Sequence, residues 1–214
     1  MHGWCRSQRT PVAAGLGGGS SDAAAVLVGL NRLLGLALTR EMLLELAGQL
    51  GSDVPFCLWP ATAVARGRGE LLTEVSSPEP LWLVLCKPPY GVSTARAYRN
   101  LHNVEILKRP DITGLLADLT QNNFPEAYNK MVNVLEYSTF ALFPELQRQA
   151  GELKDLGACH VMISGSGPTL LAFVSGEEEA IKIVQEWPRK DWFVTVTRSL
   201  RLADLQERME IYEG

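Results

Sequence analysis

Apolar residues recur at helical spacing in some stretches of this chain and run unbroken in others. Behind a glycine-rich run, Ala23, Leu27, Leu30 and Leu34 recur at intervals of three and four. That spacing predicts a helix to about Leu34, with the stripe facing the core, Ser20 or Ser21 as cap and Gly35 as stop. A second helix is predicted over Arg40–Leu50, capped by Thr39, with Glu41 in its first turn and Gly51 at its end. Residues 62–66 and 70–75 read as two strands about the turn Gly67-Arg68-Gly69, and residues 76–80, SSPEP, read as a linker.

The apolar run at 81–86, LWLVLC, predicts a buried strand stopped by Pro88 and Pro89. A helix follows from about Ala95, with Ser93 or Thr94 as cap. Residues 103–113 are irregular and polar, and 114–120 form a short helix. Residues 129–140 and 144–156 read as a helix pair closed by Gly157. Then come a strand at His160–Ile163, a loop, a strand at Leu170–Val174, an acidic-fronted helix at Glu177–Glu186, and a strand at 192–197. Residues 202–210 look weakly helical and surface-bound. Strands and helices mix without regular alternation, so the expected class is α+β.

Two loops between these elements carry candidate chemistry. In PVAAGLGGGSSD, Gly15, Gly17, Gly18 and Gly19 lead into a helix. Glycines let a ligand approach the main chain closely, and the first N–H groups of a helix have no internal partner, so a phosphate is a natural occupant. The plainer alternative is a flexible loop with a serine cap. No Gly-Lys-Ser/Thr follows, so this is not a Walker A loop, and the spacing fails the dinucleotide fingerprint. The second loop, Ser164-Gly165-Ser166-Gly167-Pro168-Thr169, joins two strands as a hairpin. Between the loops in sequence, GSDVPF presents Asp53 at a turn stiffened by Pro55; an Asp there can also simply bond its own backbone.

Composition narrows the partners. A formal net charge of −4 and the lack of a basic run do not favour nucleic acid. Cys5, Cys57, Cys86 and Cys159 lie far apart without a CxxC pair, as expected of reduced cytoplasmic thiols. His2, His102 and His160 are scattered without metal-ligand spacing. No apolar run is long enough to span a bilayer, and MHGWCRSQRT lacks a signal-peptide core. The expected partners are a small-molecule substrate, with no nucleic acid and no membrane, in a monomer or homodimer.

The segments PVAAGLGGGSSDAAA, GSDVPF, GRGE, GVSTARAY and SGSGPT, in that order, resemble the GHMP kinase superfamily over residues from about Arg9 to Thr197. GSDVPF and GVST narrow the resemblance to the branch acting on 4-diphosphocytidyl-2-C-methyl-D-erythritol in the non-mevalonate isoprenoid pathway. The resemblance implies ATP-dependent phosphorylation of that compound's 2-hydroxyl, with ATP and Mg²⁺ required. Pro11, Val12, Ala13, Ala14, Gly15, Leu16, Gly17, Gly18, Gly19, Ser20 and Ser21 match the ATP loop. A hydroxyl of Ser20 or Ser21 would assist phosphate or Mg²⁺, with no dedicated metal site. Asp53 matches the catalytic acid. Ser164, Gly165, Ser166 and Gly167 belong to the loop that shapes the site. Thr94 and Tyr98 match substrate positions, Tyr98 suited to stack on cytosine; by position alone Tyr98 is a core aromatic of its helix.

The implied fold has two domains: a truncated N-terminal domain like ribosomal protein S5 over residues 1–80, and a ferredoxin-like C-terminal domain over 81–214. The family pattern opens with an Ala-Lys motif and an Asp-Gly-Tyr-His motif, and neither occurs in this sequence, which has no lysine before Lys87. The expectation is a chain shortened at its N-terminus, with little kinase turnover and low stability as it stands. Two other readings are a degenerate nucleotide-binding relative without turnover, and another small-molecule kinase of the superfamily.

Overall fold

The computed structural model describes residues 10–58 and 62–200. The weak helix expected at 202–210 and the residue Cys5 lie outside them. By its internal contacts the chain divides into two units, one of Pro78–Ser199 with residues 10–16, the other built on Gly17–Ser77. The division near residue 78 falls in the SSPEP stretch. Residues 10–16, expected with the first domain, cluster with the second.

In the Pro78–Ser199 unit, four strands form one antiparallel sheet: β3 (Trp82–Lys87), β4 (His160–Ile163), β5 (Leu170–Val174) and β6 (Phe193–Arg198), in the order β4-β5-β3-β6. Helices separate β3 from β4 and β5 from β6, which makes a split βαβ arrangement of ferredoxin-like topology. The register sets Val84 opposite Ala172 on one side and Val196 on the other. One face of this sheet packs on α8 (Pro144–Asp155) and α9 (Glu177–Glu186), burying Val84, Cys86, Leu146, Leu153, Ile163, Leu170, Ile183 and Trp187. Three glutamates in the first turn of α9 suit its N-terminal dipole.

Between β3 and β4 run α4 (Thr94–Asn100), α5 (Ile112–Thr120), α6 (Phe124–Lys130) and α7 (Leu135–Leu142). Ser93 caps α4 by accepting from the Arg96 N–H. Asp111 caps α5 through the Gly114 N–H, starting that helix two residues earlier than expected. The single helix expected over 129–140 is two. α6 ends at Lys130, where Met131 turns extended with ψ 113°, and Asn133 Oδ1 takes the Leu135 N–H at 3.0 Å at the start of α7. Buried Ser138 of α7 donates to the Ala97 carbonyl at 2.6 Å, fastening α4 to α7.

The Gly17–Ser77 unit holds α1 (Gly18–Leu33), α2 (Arg40–Leu50), the short α3 (Val54–Cys57), and the hairpin of β1 (Ala63–Arg66) with β2 (Leu71–Glu74). Its core is small: Ala24, Ala47 and Val54, with Ala23, Leu27 and Leu58 packed around them. The predicted stripe on α1 is therefore only half right. Ala23 and Leu27 face the core, while Leu30 and Leu34 are 45% and 61% exposed. The apolar period correctly marked a helix, but α2 and α3 cover only its first half.

Candidate active site

The first glycine loop enters the Pro78–Ser199 unit as residues 10–16 and is pinned there by hydroxyls of the second loop. Thr169 Oγ1, fully buried, donates to the Ala14 carbonyl at 2.6 Å. Ser164 Oγ donates to the Gly15 carbonyl at 2.7 Å. Gly15 has φ +75°, and a Cβ there would lie 2.2 Å from the Ser164 carbonyl oxygen. No side chain fits between these two backbones. A third segment closes in at Gly91, where an added Cβ would lie 3.0 Å from that of Ala13. Lys87 holds this segment: buried at the end of β3, its ammonium donates to the Pro88 carbonyl at 2.7 Å and the Tyr90 carbonyl at 3.1 Å.

The second loop runs Ser164, Gly165, Ser166, Gly167, with φ of 56° at Gly165 and 82° at Gly167. Ser166 Oγ shares a 2.9 Å hydrogen bond with Thr94 Oγ1 at the start of α4. Thr94, proposed to face substrate, thus touches the second loop directly. Tyr98, one turn further on, is 56% exposed. It is not a core aromatic of α4. Pro11 is half-buried, Val12 and Ala13 are exposed, Ala14 is buried, and Leu16 is half-buried.

The remainder of the glycine run opens α1 in the Gly17–Ser77 unit. Here the expected cap is corrected. The helix starts at Gly18 with Gly17 as N-cap in the left-handed region, φ 66°, and no side-chain cap. Glycine reaches that conformation without strain, so the helix begins before Ser20 and Ser21, which lie in its first turn. The Ser21 N–H already bonds the Gly17 carbonyl at 2.9 Å. The earlier N–H groups, of Gly18, Gly19 and Ser20, are those a helix leaves without an internal partner.

Asp53 stands at the N-cap position of α3, exposed, and its carboxylate makes no capping hydrogen bond. The buried Val54 beside it packs with Ala24 of α1 and Ala47 of α2, so the segment that presents Asp53 is anchored on the helix that the glycine run opens. On the other side, the β1–β2 turn approaches closely: Gly69 has φ +119°, and a Cβ there would lie 3.2 Å from the Ser52 carbonyl oxygen. Burial, then the charge of Asp53, raises the Cys57 thiol pKa above its ordinary value.

Several supporting residues escaped the sequence reading. Lys87 carries no motif of its own. Asn133, just before α7, and Thr139 on it reach the second loop, while Glu136 of α7 bonds the strand end at Ile163. Among the described residues, no group of three or more His, Cys, Asp or Glu side chains gathers to hold a metal. No helix among them is long and apolar enough to cross a membrane.

Residues 6–60 match the model of the GHMP kinases N terminal domain, and residues 104–192 match that of the GHMP kinases C terminal. The chain belongs to the GHMP kinase family. A relative from Geobacillus thermodenitrificans named 4-diphosphocytidyl-2-C-methyl-D-erythritol kinase is 45% identical over 177 residues, 83% of this chain and 61% of its own length. One of the same name from Bacillus subtilis is 44% identical over 173 residues, 81% of this chain and 60% of its own. The chain thus spans about three fifths of the length of the curated relatives it matches. A crystal structure of 4-(cytidine 5'-diphospho)-2C-methyl-D-erythritol kinase aligns with TM-score 0.72 at 33% identity, covering 89% of this chain and 68% of that one. A homoserine kinase from Cytophaga hutchinsonii, 23% identical over 91% of this chain and 68% of its own, also aligns at TM-score 0.72 and shares the fold.

Proposed function

We propose that this chain carries the site of an ATP-dependent small-molecule kinase that phosphorylates the 2-hydroxyl of 4-diphosphocytidyl-2-C-methyl-D-erythritol. The observation that carries the reading is the fastening of the two glycine loops, Thr169 to Ala14 and Ser164 to Gly15. Those bonds use the carbonyl side of the first loop and leave its amide side as the natural contact for phosphate. The relatives' printed names support the choice of acceptor.

In this reading Pro11 to Ser21 hold the β- and γ-phosphates through main-chain amides and the start of α1, where the helix dipole favours negative charge. The substrate's 2-hydroxyl oxygen forms a new bond to the γ-phosphorus. The bond from that phosphorus to the bridging oxygen breaks, and the oxygen leaves with the electron pair on ADP. Asp53 accepts the hydroxyl proton. Ser20 or Ser21 would help to hold Mg²⁺ brought in on the nucleotide, which would supply positive charge against the transferring group. The free thiols Cys57, Cys86 and Cys159 suit a cytoplasmic setting for the reaction.

Thr94 and Tyr98 form the acceptor side. Replacing Tyr98 with alanine is expected to weaken the cytidyl compound by roughly tenfold, on the 1–3 kcal/mol scale of base–aromatic stacking, while ATP affinity stays within about twofold. Calorimetric titration of each ligand checks this. Equal weakening of both would assign Tyr98 to folding rather than to the base.

A further inference from the structure

The second glycine loop is held from behind by three side chains of one segment. Asn133 Nδ2 donates to the Ile163 carbonyl at 3.1 Å and the Gly165 carbonyl at 2.7 Å. Glu136 Oε1 accepts the Ile163 N–H at 2.7 Å. Thr139 Oγ1, buried, donates to the Ser166 carbonyl at 3.2 Å. Positions 133, 136 and 139 fall at intervals of three on or just before α7, so they line one side of it. What they hold is the strand end and loop whose hydroxyls pin Ala14 and Gly15.

We propose that Glu136 is a positioning residue for nucleotide binding: through the Ile163 N–H, with Asn133 and Thr139 beside it, it sets the second glycine loop and thereby the first. The proposal rests on the reading that the first loop receives phosphates. Glu136 touches no reacting atom. It acts along a continuous path, from its carboxylate to Ile163, to Ser164, to the Gly15 carbonyl.

The proton state of Glu136 tunes this hold. Burial pushes its carboxyl pKa up to about 7, against the Ile163 hydrogen bond and the charge of Lys154 on α8, which both lower it. Phe140 and Pro144 line a groove of about 530 Å³ together with Glu136. Lys154 is the charged neighbour that acts on it. His160, at the far end of β4, is held neutral down to about pH 4 by burial and so does not titrate in this range. Ionised Glu136 accepts the Ile163 N–H as a charge-assisted bond; protonated, it accepts as a neutral group of about half the strength. Desolvation outweighs that gain, as the raised pKa shows, so the held arrangement is favoured with Glu136 protonated and loosens as pH rises through about 7.

Glu136→Gln keeps the acceptor oxygen and removes the charge, mimicking the protonated state. Measure ATP affinity of the 214-residue chain and of this variant at pH 6 and pH 8, and take the ratio at each pH, which cancels the nucleotide's own titration. The ratio is expected to be near one at pH 6, where the native carboxyl is largely protonated, and about fivefold in favour of the variant at pH 8, where the native carboxylate is disfavoured in the held arrangement. A ratio that is the same at both pH values would overturn the proposal even where ATP binds well, as a purely structural role predicts. No ATP binding by the native chain at either pH would sink the phosphate reading and this proposal with it. A second measurement needs neither nucleotide nor variant: the Ile163 amide proton in the native chain should shift with pH about a midpoint near 7. An amide resonance flat from pH 6 to pH 8 would overturn the proposal on its own.

Discussion

Alanine at position 15 is expected to abolish measurable ATP binding and to lower the melting temperature by roughly 6–12 °C. Gly15 holds φ +75°, and its missing Cβ would lie 2.2 Å from the Ser164 carbonyl oxygen. The left-handed backbone alone costs an alanine about 1–2 kcal/mol. The clash is with main chain and cannot be relieved by a rotamer. The loops must separate, stretching the Ser164–Gly15 and Thr169–Ala14 bonds, for a total of roughly 3 kcal/mol or more. For a chain of this size each kcal/mol moves the midpoint by about 2–4 °C. A thermal melt and an ATP titration check both halves. Gly17→Ala is the useful companion. It too has positive φ, but no atom lies within 4 Å of its added Cβ, so it should show the backbone strain without the clash. Equal effects from the two variants would mean that contact between the loops matters little.

The second large effect falls on rate rather than on binding. In a chain extended upstream with the matching segment of a relative, Asp53→Asn is expected to lower kcat about a hundredfold or more, with KM for ATP nearly unchanged. Asn keeps the size of the side chain and removes its ability to take a proton. The effect on folding should be small, because Asp53 is exposed and makes no cap bond, while the anchoring is done by buried Val54. Steady-state kinetics beside a thermal melt separates the two. Near-native kcat in this variant would reduce Asp53 to a turn residue.

Elements with both a period and a punctuation mark were legible in the sequence. Arg40–Leu50 has a threonine cap and a closing glycine, and Glu177–Glu186 has an acidic first turn; both stand where the pattern puts them. The strands His160–Ile163 and Leu170–Val174 were likewise readable, being short apolar runs bounded by glycine. The break between α6 and α7 was not, because no glycine or proline marks it: Met131 turns extended, and the Asn133 side chain bonds the Leu135 N–H where α7 starts. The helix start at Gly18 was missed for a related reason: serines are better caps on average, but a glycine in the left-handed region begins the turn before they are reached. The exposure of Leu30 and Leu34 depends on what covers α1, which a periodic pattern does not report.

Of the candidate site, the sequence offered the two glycine loops and Asp53 as separate strings. What joins the loops is a pair of hydroxyl-to-carbonyl bonds between residues 149 and 155 positions apart. Such bonds leave no local trace, since serine and threonine are ordinary loop residues. Lys87 illustrates the same blindness. It ends an apolar strand before two prolines, where a lysine normally marks a solvated edge, yet it is buried against the Pro88 and Tyr90 carbonyls.

The central claim is that this site moves a phosphoryl group from ATP to a cytidyl-diphosphate alcohol. The most direct measurement follows the phosphorus. The upstream-extended chain, shown by its melt to be folded, is incubated with ATP, Mg²⁺ and, in separate samples, 4-diphosphocytidyl-2-C-methyl-D-erythritol, homoserine or mevalonate, and phosphorus NMR records where the γ-phosphate goes. The account predicts a new phosphomonoester signal, with matching ADP, in the cytidyl sample alone, and its loss in the Asp53→Asn variant. A phosphomonoester formed on homoserine or mevalonate instead, or none on any acceptor, would contradict it.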